Sequence, residues 1–108
     1  MFCTYKQGGG AMSVNAQVKV EGDTFLCLEM AKAAINYFQA SNIKRATIDR
    51  YEGLTLFGEA DRILFHASGL ICGFSGTGPD GSIETLRYAG FGLHARLVRT
   101  NPQITLDK

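Results

Sequence analysis

The run Gly73-Phe-Ser-Gly76-Thr77-Gly78-Pro-Asp80-Gly81-Ser82 combines residue types that can cradle an anion. Bare backbone N–H groups at the entry to a helix, together with the helix dipole, favour negative charge. Thr77, Gly78 and Ser82 would hold a phosphate, sulfate or carboxylate, and Arg87, one helical turn on, would pair with it. Asp80 opposes this chemistry, because it puts a negative charge where the anion would sit. Gly76-Thr-Gly-Pro-Asp-Gly81 also matches G-x-G-x-x-G, but position 101, where a ribose-reading acid would be needed, is Asn. The match sits late in the chain, and no Gly-Lys-Ser/Thr follows to make a phosphate-binding P-loop. The competing reading is a strand-to-helix connection, with glycines at positive φ and Thr77 or Ser82 as the helix cap.

His66 and His94 are the two histidines, each between apolar neighbours. On strands, both would point away from the side chains that flank them. A histidine can act as a general base. No Gly-x-Ser-x-Gly elbow and no nearby cysteine supplies a partner, so a hydrogen-bonded sheet position is the simpler role. Asp49, Glu52, Glu59 and Asp61 fall on turns and read as a solvated rim. Arg87, Arg96 and Arg99 gather towards the C-terminus, and the odd spacing of Arg96 and Arg99 splits them between the faces of a strand. Cys3, Cys27 and Cys72 have neither CxxC nor zinc spacing. Free thiols in a reducing cytoplasm follow, with Cys27 and Cys72 as small core residues.

The elements that must position these groups follow from periodicity. Val14, Ala16, Val18 and Val20 alternate with polar residues as in a half-buried strand. Gly22 ends it, and Asp23 or Thr24 caps a helix over residues 24–40. Cys27, Leu28, Ala31, Ala34, Ile35 and Phe38 share one face of that helix. Met30 and Tyr37 widen the apolar arc, which suits deep burial or a subunit contact. Residues 47–51 and 54–57 read as a hairpin closed by the two-residue turn Glu52-Gly53. Residues 63–67 read as a strand in preference to a short helix, and 70–74 as its continuation. A short helix follows the glycine-rich run, with Ile83 and Leu86 buried. Gly90 and Phe91 close it in a Schellman motif against Leu86. Residues 93–99 read as a strand, and Ile104 and Leu106 mark a last edge strand.

This order implies an α+β fold, a mainly antiparallel sheet with one long and one short helix packed on one face. The 108 residues make one domain over 12–108, with 1–11 as a leader or linker that could be disordered and is given no function. The chain is 45% hydrophobic and 19% charged, which is a globular composition. A net charge of +1 supplies no general attraction to nucleic acid or to anionic membranes. No apolar run approaches the length of a membrane span.

The run from Gly76 to Phe91, with its Gly-Pro-x-Gly-Ser entry, short apolar helix and Gly-Phe exit, resembles a pattern in small proteins of bacterial mobile gene cassettes, the integron cassette proteins. It covers about a sixth of the chain. The resemblance implies a cytoplasmic bacterial homo-oligomer with a small-molecule pocket, and it supplies no catalytic residue. The expected function is a homo-oligomeric module that binds a small molecule or a protein partner without catalysis. It joins its copies through helix 24–40, needs no cofactor or metal, and binds neither nucleic acid nor membrane. The expected ligand contacts are His66, Thr77, Gly78, Ser82 and Arg87. The alternatives are a small hydrolase or isomerase acting on an anionic metabolite and a protein–protein adaptor.

Overall fold

The computed structural model describes residues 4–5, 18–92 and 95–108. Its sheet has five strands of three to five residues: β2 (Val18–Val20), β3 (Arg45–Asp49), β4 (Gly53–Phe57), β5 (Ile63–Ala67) and β6 (Gln103–Asp107). A two-residue strand, β1 (Thr4–Tyr5), adds to one edge, giving the order β1-β2-β5-β4-β3-β6. All pairs are antiparallel except β2 with β5. Three helices complete the fold: α1 (Thr24–Phe38), α2 (Thr77–Tyr88) and α3 (Ala95–Thr100). The fold is α+β, as the sequence implies. The N-terminal part of the strand expected from Val14, with Leu93 and His94, lies outside the described residues.

Strand registers stack side chains into rows. Val18, Phe65, Leu56, Ala46 and Leu106 form one apolar row; Val20, Ala67, Leu54, Ile48 and Ile104 form the next. Both rows join the core with Cys27, Ala31, Ala34 and Ile35 of α1 and Ile83 and Leu86 of α2. Between them, on the opposite face, runs the polar row Lys19, His66, Thr55, Thr47 and Thr105. A period of two thus separates a helix-covered face from an open one.

Helix α1 is capped by Asp23, whose carboxylate accepts from Leu26 N–H at 2.9 Å. Helix α2 ends as its sequence predicts. Phe91 N–H donates to the Leu86 carbonyl and Gly90 N–H to that of Arg87, with Gly90 at φ 90°.

Three expectations are corrected. The β3–β4 turn has three residues, Arg50 to Glu52, because Asp49 pairs with Gly53. The Asp49 carboxylate accepts from the N–H groups of Tyr51 and Glu52 and shapes that turn. Residues 70–74 form no strand. Leu70 and Cys72 are buried at strand-like spacing, but single bonds, such as Gly73 N–H to the Val98 carbonyl, replace a ladder. Residues 95–100 form a helix, because Val98 is the side chain that enters the core, while Leu97 stays 42% exposed.

Candidate functional site

The first turns of α1 and α2 converge on the segment 69–71, which crosses between them. Thr24 Oγ1 donates to the Gly69 carbonyl at 3.0 Å, and Ser82 Oγ donates to the Ile71 carbonyl at 2.8 Å. Two glycines of α2 permit this approach. A Cβ on Gly78 would stand 2.6 Å from Ile71 Cγ1, and one on Gly81 would stand 2.6 Å from Thr24 Cγ2. These separations are shorter than van der Waals contact, so the two glycines set how closely α2 lies on its neighbours.

Where the three segments meet, a groove of about 590 Å³ opens to solvent. Phe25, Leu28 and Ile71 form its apolar wall, and Thr24 and Thr77 bring hydroxyls. Asp23, Asp80 and Glu84 bring carboxylates. Glu84 is bound by Lys32 at 2.6 Å and Asp80 by Arg99 at 3.0 Å. Pairing with Glu84 pushes the Lys32 ammonium above its ordinary pKa. Phe25 is 72% exposed, so its ring stands open to solvent in that wall.

The five residues expected to bind ligand are not brought together. Thr77 lines the groove, as the first residue of α2. Gly78 and Ser82 are buried beneath it. Neither Thr77 nor Ser82 caps the helix. Gly76 occupies the N-cap position without a side-chain bond, Thr77 is already helical, and the Ser82 hydroxyl is spent on Ile71. The missing N–H of Pro79 costs nothing in a first helical turn. Arg87 is exposed near the far end of α2 and lines no part of the groove.

His66 lies on the other side of the sheet, where its Nδ1 is 2.8 Å from Thr55 Oγ1. Burial lowers its pKa first, with the Lys19 charge adding to the effect, against opposing contributions from Glu52 and Glu21. No carboxylate hydrogen-bonds to it among the described residues. His94 is not among those residues. Of the expected acidic rim, Asp61 pairs with Arg45, which also binds Asp107, and Glu59 pairs with Lys44. Among the described residues no group of His, Cys, Asp and Glu side chains could hold a metal ion. No helix there is long and apolar enough to cross a membrane.

Sequence reasoning missed Phe25, Leu28, Ile71 and Glu84 as groove residues. The available signal was an apolar residue at 25, two positions after the Asp23 cap and off the buried face of α1. Compared with protein families, curated proteins and solved structures, the chain matches none.

Proposed function

We propose that this protein is a homo-oligomeric binding module without catalytic activity, and that its ligand occupies the α1–α2 groove. The observation behind this reading is the groove itself, with an apolar wall at Phe25, Leu28 and Ile71 facing hydroxyls and carboxylates. A few polar groups set against an apolar wall are the usual make-up of a small-molecule site. Lys32 and Arg99 already pair with Glu84 and Asp80, so among the described residues Asp23 is the rim carboxylate without an ion pair, and it favours a neutral or cationic ligand with an apolar body over an anion.

The copies join through α1, on which Leu26, Met30, Ala33 and Tyr37 form one stripe at helical spacing. Tyr37 is 79% exposed there. A cytoplasmic setting and an origin among bacterial mobile gene cassettes belong to the same reading, the latter resting on the pattern at 76–91 alone. A hydrolase or isomerase acting on an anionic metabolite has less support, because His66 is across the sheet from the groove and the groove is rimmed by acids.

The test is a nuclear magnetic resonance titration of the ¹⁵N-labelled protein with a library of small amines, neutral aromatics and carboxylates. Amines or neutral aromatics should shift the amides of Thr24, Phe25, Gly69, Thr77, Gly81 and Glu84, and Phe25→Ser should weaken that binding at least several-fold. The reading fails if no fragment moves these amides, or if binders map elsewhere.

A further inference from the structure

Strand β6 ends the sheet. Its five residues pair with β3 in unbroken register from Asp49↔Gln103 to Arg45↔Asp107. Just beyond each end of this ladder, Arg50 N–H donates to the Pro102 carbonyl and Lys108 N–H to the Lys44 carbonyl. Antiparallel ladders alternate, so Leu106 and Ile104 also spend their backbone groups on β3. Gln103, Thr105 and Asp107 therefore turn their N–H and C=O groups away from the sheet, and all three residues are exposed. Among the described residues no backbone group pairs with them.

An edge of this kind is normally blunted by a bulge, a proline or an inward charge. Within β6 there is no bulge and no proline, and its one charge, Asp107, is paired with Arg45 of β3 at 3.1 Å. Pro102 stands before the strand, and the sheet's register shift lies elsewhere, between Leu56 and Phe57. Ile104 and Leu106 end the two apolar rows half-buried, with no further strand beside them among the described residues.

We infer that the β6 edge is a two-fold interface that pairs with β6 of a second copy of this chain, antiparallel and centred on Thr105. The strand is self-complementary in that register. Thr105 meets Thr105 on the axis as a hydrogen-bonded pair, and Gln103 meets Asp107, so every outward N–H and C=O finds a partner. Ile104 meets Leu106 as a close, non-hydrogen-bonded pair, which extends both apolar rows into the second sheet. On the open face the polar row Thr55, Thr47, Thr105 continues through its mirror sequence. An isologous contact of this kind closes after two copies and leaves neither β6 exposed. It lies at the opposite end of the sheet from β2 and β5, on which α1 rests, so it is separate from the contact proposed for α1.

Sedimentation velocity at high micromolar concentration tests this with Thr105→Pro in a Tyr37→Glu background, which removes the contact proposed for α1. The Thr105 N–H faces away from β3, so the substitution removes no intrachain ladder bond while blocking the edge. Tyr37→Glu alone should sediment at twice the mass of one chain, and the double variant at the mass of one chain with an unchanged far-ultraviolet spectrum.

A second test does not depend on how proline is tolerated. Thr105→Cys in a Cys3→Ser background should form an interchain disulfide under mild oxidation, because paired Cα atoms stand about 5.5 Å apart, within disulfide range. Gln103→Cys should not, since its two copies would be about 14 Å apart. A monomeric wild type overturns the inference, as does a Tyr37→Glu dimer that survives Thr105→Pro. Equal crosslinking of the two cysteine variants also overturns it. If Tyr37→Glu alone sediments at the mass of one chain, the α1 contact stands and the edge contact falls.

Discussion

Single residues account for much of what holds the groove in shape. Asp23 caps α1 at the groove's rim, so Asp23→Ala should cost about 1 kcal/mol. That loss would lower the melting temperature by about 4–8 °C in thermal denaturation, and Asp23→Ser should recover most of it. Gly81 lies inside a helix, where alanine is normally better by about 1 kcal/mol. Here the added methyl would meet Thr24 and Leu70, so Gly81→Ala should instead destabilise by about 1–3 kcal/mol. Gly92 has open space around it, and alanine there should be neutral in the same assay. His66 gives a pH signature. Its folded-state pKa is lowered, chiefly by burial, so the unfolded chain binds the proton more readily. The stability it contributes is complete above its ordinary pKa of about 6.5 and falls as the pH drops towards the folded value. Thermal melts of the wild type from neutral to mildly acidic pH should therefore show a loss that His66→Gln reduces. Parallel curves for the two proteins would remove His66 as the cause.

At the scale of elements, local chemistry and long-range packing part company. The end of α2 is written in Gly90 and Phe91, and the structure returns both bonds of the motif. At φ 90° a side chain is strained, so Gly90→Ala should cost about 1–2 kcal/mol, seen as a lower urea midpoint at unchanged slope. The β3–β4 hairpin was legible as two strands and a turn, but its loop was one residue short in the sequence reading. The longer turn depends on Gly53, which combines φ 106° with an approach so close that a Cβ would stand 2.2 Å from the Ala67 carbonyl oxygen. That neighbour is a strand away in the sheet and gives no local sign. Residues 70–74 and 95–99 depart from the strands expected of them for a related reason. Both runs alternate well enough for a strand. Among the described residues the first has no neighbouring strand to pair with, and in the second Ala95 and Val98 share a helical face. Short apolar runs fit either period, and only their neighbours decide.

The whole molecule is organised by one apolar sheet face under α1 and α2, and its cysteines report on that core. Cys27 and Cys72 are buried, and burial, first among the causes, pushes both thiols above their ordinary pKa. A raised pKa and lost access both suppress the reactive thiolate. In the native protein these two cysteines should resist thiol reagents and become reactive together as urea unfolds the chain. Mass spectrometry of labelled peptides checks this. Modification of either one well below the unfolding midpoint would show that the core opens in parts.

The amino-acid sequence alone determined the α+β class, helix α1 with its buried face, strand β6 and the end of α2; it left Asp23 and Thr24 as alternative caps of α1 and favoured a strand over a short helix at 63–67. These features rest on periods and caps that act within a few residues. Tertiary structure decided the parallel pairing of β2 with β5, the helical state of 95–100, the removal of Gly78 and Ser82 from any surface, and the groove. Each depends on groups far apart in the chain, such as Thr24 and Gly69, 45 residues apart. The glycine-rich run shows the division most clearly. Its composition announced a close approach, and only the folded chain showed that the approaching partners are Ile71, Thr24 and Leu70.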